Sequence, residues 1–279
     1  MAENTHAPTR SDSWQPDYIA RNQAAQSEYL QRVSATTLLQ QVAARAMAML
    51  ALAPGDRVLE VGCGNGVFLP GLAAAVGDAG RVVGIDHAET FVAEARTRIA
   101  TADLTATVTV ELGDACKLPY ADASFDAAHC ERVLMHLPEP QQALTEMARV
   151  VRPGGCIVVA EPDWAGFRID HPDRAGMDKL YARAMRQRQP HMGLTAYRRM
   201  GEIGLVDRRA EPVLAVIIDY DGLRNYGLAL APAADELVAD GSFSRETVDA
   251  LLAALDEAQA SGRFYCTALM HVVAGRVPA

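Results

Sequence analysis

Short apolar runs alternate along this chain with stretches in which apolar residues recur every three or four positions. The runs are rich in β-branched residues, as in strands buried on both faces of a parallel sheet, whereas the spaced stretches are typical of amphipathic helices. This alternation predicts an α/β fold with a doubly wound sheet. The predicted strands cover residues 57–61, 81–86, 107–112, 127–130, 156–160, 206–220 and 263–277.

The placement of these elements divides the chain into four regions. Residues 1–52 hold a polar arm, to about residue 13, followed by helical spacing from Tyr18 to Leu52. Residues 53–164 hold the first five predicted strands. Residues 165–205 are polar, rich in arginine and helical in spacing, and residues 206–279 hold the last two strands around a helical insertion at about 223–260.

Three glycines, Gly62, Gly64 and Gly66, follow the first strand, and helical spacing begins just after them. A strand, a glycine turn and a helix form the first unit of a doubly wound sheet, whose ligand binds where the backbone is bare at the turn. The third glycine comes one residue too early for the dinucleotide pattern G-x-G-x-x-G. Glu60, just before the turn, is a poor neighbour for a pyrophosphate and a good one for an ammonium group.

The pattern E-x-G-x-G-x-G at residues 60–66 resembles the first motif of the class I S-adenosylmethionine-dependent methyltransferases. Three later segments are similar to this family in the same order: Gly-Asp-Ala at 113–115, PYADASFD at 119–126 and RPGG at 152–155. The second segment resembles the small-molecule (type 11) branch, which includes the ubiquinone and menaquinone methyltransferases. The resemblance covers residues 54–164. It implies a Rossmann-like, seven-stranded sheet with an antiparallel last strand, N-terminal helices over the site and a helical lid at 165–205.

S-adenosylmethionine is the cofactor that this resemblance implies. Asp86 ends the second strand about 20 residues after the glycine turn, where a carboxylate can accept hydrogen bonds from both ribose hydroxyls. Asp114 would accept from the adenine amino group, and the backbone near Cys130 would face the methionine end, with Glu131 and Arg132 beside it. The resemblance places cofactor contacts at Glu60, Gly62, Cys63, Gly64, Asp86, His87, Phe91, Asp114, Ala115 and Cys130.

The expected reaction is methyl transfer to a small organic acceptor, with O-, N- and C-methylation left open. A base is needed only if the acceptor loses a proton. The candidates for this base are His136, Glu131, Asp163 and His191. The candidate acceptor contacts are Trp14, Tyr18, Trp164 and Arg188. Structural alternatives stay open for these side chains: packing for the aromatic residues and His136, a turn for Asp163, and a solvated face for the arginines.

Composition narrows the expected partners. The net charge of −9 over 279 residues argues against nucleic acid, so a small-molecule substrate is expected. The expected lid combines apolar and arginine side chains, with Trp164 and several tyrosines nearby, and suits an aromatic or prenylated metabolite. No apolar run is long enough to span a membrane and the N-terminus lacks a signal peptide's apolar region, so we expect a cytoplasmic protein. The five scattered cysteines lack C-x-x-C spacing, and no metal site is expected. A homo-oligomer formed through the N-terminal helices is left open.

Two other functions remain open from the sequence. The protein could bind S-adenosylmethionine without transferring its methyl group, either to catalyse a reaction such as a cyclisation or to sense the cofactor. NAD-dependent oxidoreduction is a further alternative, but it conflicts with the early third glycine and with Glu60.

Overall fold

The computed structural model describes residues 10–105, 107–226, 228 and 230–279. Most of the polar arm predicted for residues 1 to about 13 therefore lies outside the described residues. Within it, Arg10–Trp14 form a turn of 3-10 helix that leads into the first α-helix.

The helical region predicted from Tyr18 to Leu52 is three helices: α1 (Pro16–Arg21), α2 (Gln23–Ser34) and α3 (Thr37–Leu50). The break before α3 has a local cause, because the Thr36 side chain accepts a hydrogen bond from the Leu39 backbone N–H and so caps the new helix. Ala51 ends α3 in the left-handed conformation with a φ of 49°, and the chain then turns toward the first strand.

Five parallel strands form the centre of the sheet in the spatial order β3-β2-β1-β4-β5. Three helices cross between them, and the strand order reverses beside β1, which is where doubly wound sheets bind ligands. The strands are β1 (Arg57–Val61), β2 (Arg81–Asp86), β3 (Val108–Leu112), β4 (Phe125–Glu131) and β5 (Val151–Pro162). The helices are α4 (Leu69–Val76), α5 (Glu89–Thr101) and α6 (Pro140–Val150).

The remaining chain completes the sheet with antiparallel strands. It forms β6 (Arg168–Ile169), α7 (Arg174–Ala184), α8 (Met192–Glu202), β7 (Val206–Ile217), α9 (Leu230–Ala239), α10 (Arg245–Ala260) and β8 (Cys266–Arg276). The last strand, β8, pairs antiparallel with β5 on one side and with β7 on the other. The predicted α/β class and antiparallel last strand are confirmed. The predicted count of seven strands is corrected to eight in the described residues, because the two-residue β6 also pairs with β8.

Alternate residues of the central strands pack into two separate cores, one on each face of the sheet. On β1, Val58 belongs to the core beneath α3 and α4, whereas Leu59 belongs to the core beneath α6 and α8. Because β1 is buried on both faces, its sequence is a nearly continuous apolar run. No helix in the described part of the chain has the length and apolarity needed to cross a membrane.

Candidate active site

A cavity of about 700 Å³ opens at the carboxyl ends of the parallel strands. Its floor is formed by the glycine turn after β1 and by the residues that follow β2, β3 and β4. Residues of the N-terminal 3-10 turn and of α1, α2 and α3 cover it from the other side. The volume lies within the range of roughly 300–1,000 Å³ that is typical of small-molecule sites.

The glycine turn brings bare backbone to the cavity. Gly62, Gly64 and Gly66 all have positive φ values, of 71°, 52° and 79°, which residues other than glycine rarely adopt. A Cβ atom on Gly62 would also overlap the side chain of Val133 in the segment after β4. Glycine is thus required at this position both by backbone conformation and by the close approach of two loops.

Asp86 lies beside this turn, at the end of β2. Its carboxylate accepts hydrogen bonds from the backbone N–H of Gly64 at 2.8 Å and of Ala88 at 2.9 Å, and the residue is only 6% exposed. Each carboxylate oxygen can accept a further hydrogen bond, because it has two lone pairs. Asp86 is therefore held in place by the fold and keeps acceptor capacity for a ligand.

His87 joins this carboxylate to the N-terminal cover. Its Nδ1 lies 3.5 Å from Asp86 Oδ1, and its Nε2 lies 2.8 Å from the carbonyl oxygen of Trp14. Burial acts to lower the pKa of His87, but the hydrogen bond and charge of Asp86 outweigh it, so that the pKa is raised. A protonated His87 would donate to both partners and hold the cover closed over the cavity.

Glu60 lies at the floor of the cavity and is paired within the sheet. Its Oε2 lies 2.7 Å from Nδ1 of His129, its neighbour on β4 in the strand register. Burial raises the pKa of Glu60, and His129 only partly opposes this. Phe68 stacks on the His129 ring with a centroid distance of 4.5 Å. The Glu60 carboxylate, which the sequence suggested as a neighbour for an ammonium group, is thus already paired with His129.

The residues expected at the adenine end also line the cavity. Asp114 follows β3, and its Oδ1 accepts a hydrogen bond from the Cys116 backbone N–H at 2.8 Å, which closes a tight turn around Ala115. Phe91 of α5 is buried and lies 6.4 Å from Trp14 between ring centroids. The ends of β2 and β3 therefore combine a carboxylate, turn backbone and an aromatic wall.

Two charged residues and a turn follow β4 on the other side of the cavity. Glu131 and Arg132 form an ion pair with an Nε to Oε1 distance of 3.2 Å, and both line the cavity. His136, at the end of the next 3-10 turn, also lines it and lies 5.3 Å from Trp14 between ring centroids. Only 9% of His136 is exposed.

The turn that carries His136 is fixed by Glu161, which comes directly after the predicted strand at 156–160. Glu161 lies within β5 and is fully buried. Its carboxylate accepts from the backbone N–H groups of Val133, Leu134 and Met135 at 3.0, 2.7 and 3.4 Å. Burial nevertheless raises its pKa to about 8. An acid at the end of an otherwise apolar strand is the sequence signal that could have pointed to this role.

Five of the predicted site residues lie outside the cavity lining. Cys130 is fully buried in the core beneath α6 and α8, and Tyr18 is an exposed residue of α1. Arg188 forms an ion pair with Asp12 at 3.0 Å instead. Asp163 and His191 lie near each other, 3.6 Å from Oδ1 to Nδ1, and the His191 side chain is 55% exposed.

The other predicted residues are brought together at the cavity. They are Trp14, Glu60, Gly62, Cys63, Gly64, Asp86, His87, Phe91, Asp114, Ala115, Glu131, His136 and Trp164. Within the part of the chain that the structure describes, no group of three or more His, Cys, Asp or Glu residues could hold a metal ion.

Several known proteins similar to this chain are methyltransferases. Residues 59–159 match the methyltransferase domain family. The chain is 36% identical over 247 residues to an uncharacterized 37.1 kDa transposon protein of Streptomyces fradiae, with 88% of this chain and 66% of that protein covered. It is 38% identical over 130 residues to 27-O-demethylrifamycin SV methyltransferase of Amycolatopsis mediterranei, with 45% and 47% covered. It is 35% identical over 125 residues to demethylmenaquinone methyltransferase of Bacillus mycoides, with 44% and 52% covered.

The chain thus spans less than two thirds of the length of these relatives. Among solved structures, phosphoethanolamine N-methyltransferase 2 of Haemonchus contortus, in complex with S-adenosyl-L-methionine, superposes with a TM-score of 0.60 at 18% identity, covering 95% of this chain and 60% of that one. The [4+2]-cyclase SpnF superposes with a TM-score of 0.54 at 23% identity, covering 86% and 82%. At these identities the likeness shows the fold. Residues 59–159 of the chain are thus a methyltransferase domain, and its cofactor is S-adenosylmethionine.

Proposed function

We propose that the protein transfers the methyl group of S-adenosylmethionine to a small organic acceptor and releases S-adenosylhomocysteine. The observation that carries this proposal is the pairing of Asp86 with the Gly64 backbone at the floor of the cavity. It sets a fixed carboxylate beside a bare glycine turn, the two features that a nucleoside joined to an amino acid requires. The cavity volume of about 700 Å³ leaves room for an acceptor as well.

The order of the residues along the sheet matches the order of the groups in the cofactor. Asp86 would accept from the ribose hydroxyls, and Asp114 with the backbone of the following turn would receive the adenine. The glycine turn, whose bare backbone lines the cavity, would lie against the methionine end. His87 and Trp14 would cover the nucleoside, because their mutual hydrogen bond already closes that end of the cavity.

The bound sulfonium supplies an activated methyl group, so the protein's main task is alignment. The carboxyl ends of the strands and the N-terminal helices hold the two reactants in one enclosed space and exclude water from it. Orientation of this kind can lower a barrier by roughly 7 kcal/mol or more. The acceptor atom forms the new bond to the methyl carbon, the electrons of the breaking carbon–sulfur bond stay on sulfur, and any proton leaves the acceptor for a base.

His136 is our candidate for that base, with Glu131 second. Both side chains line the cavity, whereas Asp163 and His191 do not. His136 is held by the turn that Glu161 anchors and by the Trp14 ring, so its position is fixed relative to the cavity. A base must be within hydrogen-bond reach of the proton it takes, which favours the two residues at the cavity wall.

The acceptor half of the cavity favours an aromatic or prenylated metabolite of specialised biosynthesis. Tyr29, Leu39 and Trp164 line it and offer apolar and aromatic surface.

We place the enzyme in the cytoplasm, because all five cysteines are free and four of them are buried, as in a reducing compartment.

The test is a methyl-transfer assay on a panel of aromatic and prenylated alcohols, amines and acids. We expect at least one compound to gain the mass of one methylene unit, with S-adenosylhomocysteine formed in equal amount. An Asp86→Ala variant should lose this activity through a raised KM for the cofactor. A product formed without mass gain and without S-adenosylhomocysteine would instead support the cyclisation alternative.

A further inference from the structure

Arg132 lies on the side of the cavity away from the predicted nucleoside residues. In the sheet order β3-β2-β1-β4-β5, Asp114 follows β3 and Asp86 ends β2, whereas Arg132 follows β4. Its backbone N–H bonds to the Ala160 carbonyl of β5 at 2.9 Å, so it lies at the β4–β5 border. Trp164, which follows β5, lines the same part of the cavity. This half of the cavity is where an acceptor would bind, on the far side of the methionine end.

The guanidinium of Arg132 has unused donors there. Its Nε–H is taken by Glu131 at 3.2 Å, and its terminal nitrogens have no hydrogen-bond partner among the residues that the structure describes. The side chain is 15% exposed and lines the cavity. Two planar N–H pairs therefore remain available to a ligand, in the fork geometry that matches a carboxylate.

The backbone of Arg132 is fixed in an uncommon conformation. Its φ is 56°, in the left-handed region that costs a residue with a side chain about 1 kcal/mol or more. Such conformations persist where surrounding structure holds them, and they concentrate at functional sites. Here the holding contact is the hydrogen bond to Ala160.

Apart from the carboxylates of Glu131 and Glu161, the surface around this guanidinium is largely apolar. Arg132 also lines a small recess that adjoins the cavity, together with Tyr29, Leu39, Trp164 and Phe167. A charged fork set in aromatic and aliphatic walls is well suited to a ligand with an acidic group on an apolar body, because the walls exclude water from the ion pair.

We propose that Arg132 is the acceptor-anchoring residue and that the acceptor is an apolar or aromatic carboxylate, held through the two terminal nitrogens. This inference rests on the proposed methyl transfer. It makes Arg132 a binding and positioning residue, because the carboxylate it holds sets the distance from the acceptor atom to the methyl group. Glu131 keeps the guanidinium in place through Nε and leaves the fork open.

The test compares 1-naphthoate with its neutral isostere 1-naphthamide by calorimetric titration, with and without saturating S-adenosylhomocysteine. The wild-type protein should bind naphthoate roughly tenfold or more tightly than naphthamide, as expected for a charge-assisted bidentate pair. Arg132→Gln should remove this preference, and Arg132→Lys should restore only part of it. Arg45→Gln is the matched control, because Arg45 lies on α3, exposed and paired with Glu211 at 3.3 Å.

Equal binding of the two probes by the wild type, or a preference that survives in Arg132→Gln, would overturn the proposal. A third result would overturn it as well: Arg132→Gln loses affinity for S-adenosylhomocysteine but not for 5′-methylthioadenosine, which lacks the amino-acid part. Arg132 would then hold the cofactor's own carboxylate. If the wild type fails to bind S-adenosylhomocysteine, the proposed function fails, and the titration without it still measures the naphthoate preference.

Discussion

Glu60 and His129 form an ion pair of 2.7 Å beneath the cavity, with 3% and 0% of their side chains exposed. They lie opposite each other on β1 and β4, although 69 positions separate them in the chain. The Nε2 of His129 is buried without a partner among the described residues. The pair therefore places two buried titratable groups below the glycine turn.

This pair should make stability fall as pH rises. Burial raises the pKa of Glu60 above its ordinary 4.5. Burial acts to lower the pKa of His129, but the charge and hydrogen bond of Glu60, together with the charges of Glu131 and Glu161, outweigh it, so that this pKa lies above 6.5. The folded state thus holds protons that the unfolded chain releases, and their contribution is present below the ordinary values and lost as pH rises through the folded ones. Each such proton changes the free energy of unfolding by up to about 1.4 kcal/mol per pH unit.

The measurement is urea unfolding between about pH 6 and about pH 8.5 for the wild type and for Glu60→Gln/His129→Gln. The wild type should lose more stability over this range than the double variant, in which neither group titrates. Parallel pH profiles for the two proteins would show that the pair is not the titrating element.

Gly62 should be more sensitive to substitution than glycine conformation alone explains. Gly62 and Gly241 have similar positive φ values, of 71° and 74°, but only Gly62 has a neighbour that a Cβ would overlap, the Val133 side chain. Alanine at either position should cost about 1–2 kcal/mol for the left-handed backbone. Gly62→Ala should cost more and weaken cofactor binding, because the loops after β1 and β4 must separate. Equal losses of unfolding free energy and unchanged affinity would refute this.

Intrinsic fluorescence should distinguish the two ends of the cavity. The chain has two tryptophans, Trp14 and Trp164, and both line the cavity. Trp14 lies beside Phe91 on the nucleoside side, whereas Trp164 lies on the acceptor side. Addition of S-adenosylhomocysteine should therefore change the emission of Trp164→Phe, which keeps Trp14, more than that of Trp14→Phe. The opposite order would reverse the assigned ends.

Replacement of the two candidate histidines should separate the proposed base from its neighbour. His136→Ala should lower kcat about 10²–10⁴-fold for an acceptor that loses a proton. His191→Ala should leave turnover within about threefold, because its ring lies outside the cavity and is mostly exposed. If both variants kept the kcat of the wild type, alignment alone would account for the reaction.

Local sequence was enough to predict the glycine turn, the strands around it and the place of Asp86, because each depends on residues close together in the chain. The antiparallel last strand came from family resemblance and is confirmed. The pairing of Glu60 with His129, and the role of Glu161, depend on strand register between distant segments, which periodicity does not contain. The extra strand β6 was missed because two residues carry no pattern.

The placement of Tyr18 and Arg188 could not be read from the sequence for a related reason. Both belong to segments whose packing depends on how the N-terminal cover and the chain after β5 meet. The structure pairs Arg188 with Asp12 of that cover, 176 positions away, and leaves Tyr18 exposed. Ile19, the residue after Tyr18, and Gln187, the residue before Arg188, line the cavity instead.

Calorimetric titration with S-adenosylmethionine and S-adenosylhomocysteine tests the central claim most directly. The matched variants are Asp86→Asn and Asp56→Asn, since Asp56 also accepts a backbone N–H, from Ala53 at 2.8 Å, but does so away from the cavity. We predict binding by the wild type and by Asp56→Asn, and a loss of at least roughly tenfold in affinity for Asp86→Asn. No binding by the wild type, or full affinity in Asp86→Asn, would contradict the account.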